Sequence, residues 1–196
     1  MLKEELKMKR ILFTCSVILM VAFFSSCGKN VGSGENTATA DVNSDSDGSK
    51  ILQEKDGSIS LRVEKAALYH DVADPKNNTA EWSVLVSKSG RFDVWLSSAT
   101  IDTTNLRYRN NVRFNIRENN IEKRPGCDKI VLHSSDVSYP YFRADSFLGS
   151  LYIQDTGSYS ITVISDKILP KDYNAAALNT DDSSKLISVF LTPITR

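Results

Sequence analysis

Apolar residues that recur at every second position constrain the fold of this chain more than any other feature of its sequence. From residue 49 onward, turn residues punctuate these alternating runs every eight to twelve positions, and helical periodicity is nearly absent. Strict alternation is typical of strands that bury one face. The pattern therefore predicts an all-β domain of eight or nine short strands, folded as an antiparallel β-sandwich of the jelly-roll type.

The same alternation predicts which residues face the core and where the chain turns. Residues 87–90 are expected to turn the chain between two strands. Asp56-Gly57 is typical of a two-residue hairpin turn. It predicts that residues 51–52 pair with the strand that starts at Ile59. The core-facing residues expected on either side of the turn at 87–90 are Trp82, Val84, Val86, Phe92, Val94 and Leu96.

Residues 1–26 have the composition of a secretory signal. Basic residues in the first ten positions precede an apolar run from Ile11 to Phe24, which ends in small residues before Cys27. This run is shorter than the roughly 20 apolar residues that a membrane-spanning helix needs. We therefore expect the segment to direct export.

The residues around Cys27 resemble the lipobox of bacterial lipoproteins, with two serines between Phe24 and the cysteine. The resemblance implies that Cys27 is acylated, becomes the first residue of the mature chain and anchors it to a lipid bilayer. Gly28 after the cysteine resembles the pattern that sends lipoproteins to the outer membrane. The expected location is the bacterial cell envelope, with the protein on a membrane.

The rest of the chain divides into a tether and one domain. Residues 27–48 contain no aromatic residue and almost nothing to bury, so they are expected to form a flexible tether. Residues 49–196 are one domain's worth of chain, and we expect a single β-sandwich domain there. The 24 basic and 24 acidic residues of the whole chain balance, so nothing in the charge suggests nucleic acid as a partner.

Two consecutive strand segments, 80–86 and 90–96, are similar to the Trp-x-Val and Gly-x-Tyr-x-Val-x-Leu strands of galactose-binding-like β-sandwiches. This family includes carbohydrate-binding modules of families 6 and 35 and domains appended to bacterial fucosidases and sulfatases. Segments 148–153, 157–163 and 186–194 are similar to the closing strands of the family. The resemblance implies a jelly-roll sandwich, and it transfers no ligand residue. The core residues that it implies are Trp82, Phe92 and Tyr159.

Exposed aromatic rings are the first candidates for a glycan site, because their faces stack on the C–H surfaces of sugars. Trp95 is out of phase with its core-facing neighbours, so we expect it on the outer face of the sheet. Tyr139, Tyr141 and Phe142 cluster around Pro140 in a predicted loop. The alternative is that Trp95 packs under a crossing segment and that the cluster closes one end of the sandwich.

Six arginine and asparagine residues share one parity on a predicted strand whose other face is apolar. They are Arg107, Arg109, Asn111, Arg113, Asn115 and Arg117. An arginine offers a planar fork for a carboxylate or sulfate, so this stripe favours contact with an acidic glycan or an anionic surface. The alternative is a solvated sheet face, or an edge strand charged against aggregation.

Signals for a metal or another cofactor are weak. Residues 43–54 nearly match an EF-hand calcium loop, but Lys50 stands where an apolar residue is usual, and no helix flanks the run. We interpret this run as acidic tether. A structural calcium ion, of the kind such sandwiches often hold, has as its candidate ligands Asp71, Asp74, Asp181 and Asp182. No other cofactor is expected.

Catalysis has little support in the sequence. The chain has only His70 and His133, and it lacks the serine-hydrolase, zinc-protease and phosphate-loop motifs. Cys127 would be left without a disulfide partner after loss of the signal and acylation of Cys27. We interpret Cys127 as a structural thiol, with a nucleophile as the alternative. The chain is expected not to be an enzyme.

Two functions remain open. The first is a lipid-anchored, non-catalytic carbohydrate-binding protein of the cell envelope. Its candidate glycan-binding residues are Trp95, Tyr139, Tyr141, Arg107, Arg109 and Arg113. The second is a protein-interaction or envelope-assembly subunit on the same sandwich, with those aromatic residues buried and an uncovered strand edge or apolar patch on the surface.

Overall fold

Eleven strands make up nearly all of the regular structure in the computed structural model, which describes residues 50–169 and 184–195. The predicted signal and tether, with Cys27, lie outside the described residues, and so do Asp181 and Asp182. Within the described ranges, no helix is long and apolar enough to cross a membrane.

The strands are β1 (Ile51–Leu52), β2 (Ile59–Arg62), β3 (Ala67–Tyr69), β4 (Thr79–Val86), β5 (Gly90–Thr100), β6 (Val112–Ile116), β7 (Asn119–Lys123), β8 (Lys129–Val131), β9 (Phe142–Ile153), β10 (Gly157–Ile164) and β11 (Ser184–Pro193). Two short 3₁₀ turns, Val63–Lys65 and Pro75–Asn77, flank β3. The predicted all-β class is confirmed. The described strands outnumber the eight or nine expected, and several of them, such as β1 and β3, have only two or three residues.

The strands form two sheets that pack face to face as a jelly-roll-type sandwich. One sheet has six strands in the order β1-β4-β10-β6-β7, with β3 also paired to β4, and the other has five in the order β2-β11-β5-β9-β8. Only β1 and β4 pair in parallel, and every other described pair is antiparallel. The fold is therefore the predicted antiparallel sandwich.

The core lies between the two sheets and is built from the alternating apolar residues. Trp82, Phe92 and Tyr159 are all buried, which confirms the core positions that the family resemblance implies. Each fully buried side chain of this size contributes about 1.5–3 kcal/mol to folding. The described core runs from Ile59 to Leu191, so a chain that starts at Gly28 keeps all of it.

The predicted hairpin at Asp56-Gly57 is wrong. A turn does form there, with Glu54 N–H donating to the Ser58 carbonyl at 2.8 Å, and Gly57 has the positive φ of 90° that favours glycine. However, β1 pairs with β4 in one sheet, and β2 pairs with β11 in the other. A two-residue strand can form few backbone hydrogen bonds with a partner. The pairing of β2 with the long β11 is therefore stronger, and it places β2 in the other sheet.

The turn at residues 87–90 also joins strands of different sheets. β4 belongs to the six-stranded sheet and β5 to the five-stranded sheet. Both strands have one apolar face, and they bury those faces against each other across the core instead of lying side by side. The turn was therefore predicted at the right place, and it passes the chain from one layer to the other.

Candidate functional site

A groove of about 910 Å³ lies on the outer face of the five-stranded sheet. Its walls come mainly from β2, β9, β11 and the loop before β9, and Leu68 of β3 and Ala99 of β5 also line it. Its polar and aromatic lining residues are Ser60, Arg62, Glu64, Asp136, Ser138, Tyr139, Tyr141, Arg143, Lys185, Ser188 and Phe190. This volume lies within the range of about 300–1,000 Å³ that is usual for ligand pockets.

Strand alternation explains why polar residues reach this groove. Along β2, Ile59 and Leu61 face the core, so Ser60 and Arg62 point outward. The register then places Arg62 opposite Ser188 and Ser60 opposite Phe190 on β11. Hence residues far apart in the sequence meet on one surface.

An ionic network forms the base of the groove, and its centre is a buried carboxylate on β9. Asp145 is 3% exposed. Its Oδ1 accepts hydrogen bonds from Ser97 Oγ and Arg143 Nε, both at 2.8 Å, and its Oδ2 accepts from Arg143 Nη2 at 3.2 Å. This forked contact holds the guanidinium of Arg143 in one orientation.

The network continues to Asp136 and reaches solvent at Arg62. Asp136 accepts from Arg143 Nη1 at 2.8 Å and from Arg62 Nη2 at 2.7 Å. Burial alone would raise the pKa of Asp136, but the hydrogen bonds and charges of the two arginines outweigh it and hold the pKa below its ordinary value. Burial likewise opposes the charge of Arg143, and contacts with Asp145 and Asp136 raise its pKa above the usual value. Both groups are therefore held in their charged forms.

Two of the predicted glycan-binding residues line the groove. Tyr139 is 94% exposed, and Tyr141 is half-buried beside it. The ammonium of Lys185 lies 6.0 Å from the centre of the Tyr141 ring. The groove therefore combines an open ring, a half-buried ring and fixed polar groups.

Trp95 projects from the outer face of β5, as predicted, and it lies next to the groove without lining it. Its cross-strand partners are Phe147 and Phe190, with ring centroids 5.2 and 6.3 Å from its own. Phe190 lines the groove, so Trp95 touches the site through that ring. The aromatic neighbours of Trp95 are these two phenylalanine side chains.

The predicted arginine stripe is wrong as a single strand. β6 covers only Val112–Ile116, and Arg107 and Arg109 lie in the loop before it. Arg107 has a positive φ of 51°, which ends the extended conformation. Leu106 and Tyr108 are nevertheless buried, so the burial pattern continues through a loop and has the appearance of a strand in the sequence.

The candidate arginines and aromatics are not brought together. Arg113 lies on β6 in the six-stranded sheet, whereas Trp95, Tyr139 and Tyr141 belong to the five-stranded side of the sandwich. Arg107 pairs with Asp102 at 3.8 Å. The groove instead receives its guanidinium groups from Arg62 and Arg143.

Sequence reasoning missed the ionic network. Arg143 and Asp145 stand two positions apart on one strand, and a charged pair at that spacing is the signal that could have found part of it. Asp136 and Arg62 are 74 positions apart, and only the fold brings them into contact.

Comparisons with known proteins show a likeness in fold. No family model matches the chain, and no curated protein matches it. The crystal structure of alpha-L-fucosidase from Vibrio sp. strain EJY3 has 21% identity and a TM-score of 0.57, over 74% of this chain. This chain shares its fold with part of that enzyme. It spans 24% of the fucosidase chain.

Two further solved structures are more distant. The GH26-CBM35 beta-(1,4)-mannanase of Podospora anserina has 13% identity and a TM-score of 0.41, over 72% of this chain and 29% of its own. The CBM35 from Cellvibrio japonicus Abf62 has 10% identity and a TM-score of 0.35, over 70% of this chain and 94% of its own. Of these three structures, the fucosidase is similar enough to show a shared fold.

Cys127 is half-buried, and its thiol donates to the carbonyl of Thr103 at 2.9 Å. Burial raises the pKa of the thiol, and the charges of Asp128 and Asp102 raise it further. A raised pKa disfavours the thiolate, which is the nucleophilic form. The environment is therefore that of a structural thiol.

The candidate calcium ligands have other contacts. Asp71 accepts hydrogen bonds from the backbone N–H groups of Ala73 and Asp74, at 3.0 and 2.9 Å. Asp74 pairs with Lys76 at 2.8 Å. Within residues 50–169 and 184–195, no three histidine, cysteine, aspartate or glutamate side chains gather in a way that could hold a metal ion.

Proposed function

We propose that this chain is a non-catalytic carbohydrate-binding protein, held at the bacterial cell envelope by a lipid on Cys27, and that its glycan lies in the groove. The observation that carries the proposal is the combination of Tyr139 and Tyr141 with the network of Arg62, Asp136 and Arg143 in one groove. Sugars need both kinds of group, because their C–H faces stack on aromatic rings and their hydroxyls form hydrogen bonds.

The ionic network also supports binding without catalysis. A glycosidase needs a carboxylic acid with a raised pKa near a second carboxylate. In the groove, the pKa of Asp136 is lowered by Arg62 and Arg143, and Asp145 is buried under Arg143. These carboxylates accept hydrogen bonds from the two arginines and so hold the guanidinium groups in position.

The anchor and tether complete the proposal. A lipid on Cys27 would hold the sandwich at a membrane surface, and residues 28–48 would give it reach. A binding domain held in this way keeps captured glycan close to the cell.

A glycan array tests the proposal with the chain from Gly28 to Arg196. We expect specific binding that Tyr139→Ala weakens about tenfold, because loss of one stacking ring costs about 1.4 kcal/mol. The matched control is Tyr152→Ala, since Tyr152 is also an exposed tyrosine but lies outside the groove. A folded protein that binds no glycan would refute the proposal and favour an envelope-assembly subunit.

A further inference from the structure

The charged groups of the groove balance. The described residues place three cations in it, Arg62, Arg143 and Lys185. Two anions, Glu64 and Asp136, also line it, and a third, the buried Asp145, lies outside the lining and pairs with Arg143. Counted with Asp145, the described charged groups of the groove therefore sum to no net charge with which to attract an anion.

We infer that the groove binds an uncharged, hydroxyl-rich sugar chain and not an acidic glycan. This inference rests on the proposed function and names its ligand class. It also departs from the sequence-based expectation of an acidic ligand, because Arg107, Arg109 and Arg113 lie outside the groove.

The donors of Arg143 are largely used within the protein. A guanidinium has five N–H groups. In Arg143, Nε and one N–H of Nη2 contact Asp145, and one N–H of Nη1 contacts Asp136. Two N–H groups remain, on a cation whose charge two carboxylates already compensate. A ligand carboxylate would bind beside those carboxylates and be repelled, whereas a neutral hydroxyl would not.

Asp136 and Arg62 offer the complementary pair of groups that a sugar hydroxyl needs. A hydroxyl donates one hydrogen bond and accepts others. Asp136 retains accepting capacity, since its two oxygens take bonds from Arg62, Arg143 and Ser134 out of about four lone-pair positions. The Arg62 side chain is 48% exposed and has donors free to turn toward a ligand. Two neighbouring hydroxyls could therefore bind across this ion pair.

Lys185 is the one groove cation with no carboxylate within ion-pair distance among the described residues. Its ammonium faces the ring of Tyr141 at 6.0 Å. Lys185 is therefore the residue on which binding of an acidic glycan would depend most, and its substitution separates the two ligand classes.

The test is calorimetric titration of the chain from Gly28 with three kinds of oligosaccharide: neutral gluco-, manno-, galacto- and xylo-oligosaccharides, hexuronate oligosaccharides, and sulfated oligosaccharides. We expect binding of a neutral sugar, with a Kd that changes less than about twofold between 50 and 500 mM NaCl. Lys185→Gln should change this Kd less than about threefold. Asp136→Asn should weaken it about tenfold, because an NH2 donor replaces one of the two oxygens that accept from Arg62 and Arg143, and the carboxylate charge is lost.

Arg113→Gln is the matched control, because it removes an arginine from the opposite sheet and should change nothing. If Asp136→Asn does not fold, Lys185→Gln and the salt series still decide the question. The inference is overturned if the protein binds only hexuronate or sulfated sugars, in a way that salt and Lys185→Gln abolish; the proposed function then stands. Binding to no sugar at all overturns the proposed function and the inference with it.

Discussion

Trp82 connects the core to the groove through one hydrogen bond. Its indole Nε1 donates to the backbone carbonyl of Arg62 at 2.8 Å. Trp82 is 2% exposed and belongs to the six-stranded sheet, whereas Arg62 ends β2 in the other sheet and pairs with Asp136. A residue buried between the layers thus fixes the backbone of a groove residue.

We predict that Trp82→Phe lowers the free energy of unfolding by about 2–3 kcal/mol, because it leaves a cavity and deprives the Arg62 carbonyl of its donor. Urea denaturation measures this loss. The comparison variant is Trp95→Phe, on the outer face, where we expect a smaller loss because no core cavity forms. Equal effects of the two substitutions would contradict this account of Trp82.

The lowered pKa of Asp136 makes stability depend on pH. The unfolded carboxyl takes up a proton near its ordinary value of 3.8, while the folded carboxyl, held by Arg62 and Arg143, stays charged to lower pH. The unfolded state then binds more protons, so the free energy of unfolding falls as the pH drops below about 3.8, and the contribution of Asp136 is fully present above it.

Denaturation of the wild type and Asp136→Asn between pH 3 and 7 measures this contribution. We expect the stability of Asp136→Asn to fall less steeply at acid pH than that of the wild type, because the variant lacks this titrating group. If the free energy of unfolding falls equally with pH in both proteins, Asp136 does not contribute to the loss of stability in acid.

Among the elements, β9 depends on a glycine for its packing. A Cβ added at Gly149 would lie 3.3 Å from Cγ2 of Ile121 on β7, which is tighter than ordinary contact. Gly149 also flanks the irregularity where β9 pairs with Val94 and Trp95 of β5. β7 can therefore approach β9 this closely only because position 149 is a glycine, which has no side chain.

Gly149→Ala is expected to destabilise the fold by about 1–3 kcal/mol, because Ile121 must move to admit the methyl group. Thermal or urea unfolding reports the change. Gly126→Ala provides the control, since its added Cβ meets nothing closer than 3.9 Å, and we expect an effect within about 0.5 kcal/mol. A neutral Gly149→Ala would mean that β7 shifts freely against β9.

The sequence predicted the elements better than their partners. Alternation identified the buried faces of β4 and β5, because burial on one face depends on local spacing. The partner of β2 was missed, because pairing with β11 depends on residues far along the chain. The same reason explains which groove residues were predicted. Tyr139 and Tyr141 were found because they form a local cluster in the sequence. Arg62 and Asp136 were missed because their contact needs the complete sheet.

At the scale of the whole molecule, the proposed anchor depends on one cysteine. We predict that Cys27→Ser shifts the protein from the membrane fraction to the soluble fraction, because the lipid chains would be lost. Fractionation of cells followed by detergent phase separation measures the shift. Cys127→Ser is the matched control and should stay with the membrane, since the Cys127 thiol contacts Thr103 inside the domain. Membrane association of Cys27→Ser would remove the basis for the anchor.

The place of β11 has a consequence for the order in which the protein folds. β11 lies between β2 and β5, so the edge strand β2 has no partner in the five-stranded sheet until residues 184–193 have been synthesised. Strand pairings between distant parts of a chain form late and slowly. A nascent chain without β11 therefore cannot complete the five-stranded sheet, and this delay would suit the export that residues 1–26 predict, because it postpones the final fold until the chain is nearly complete.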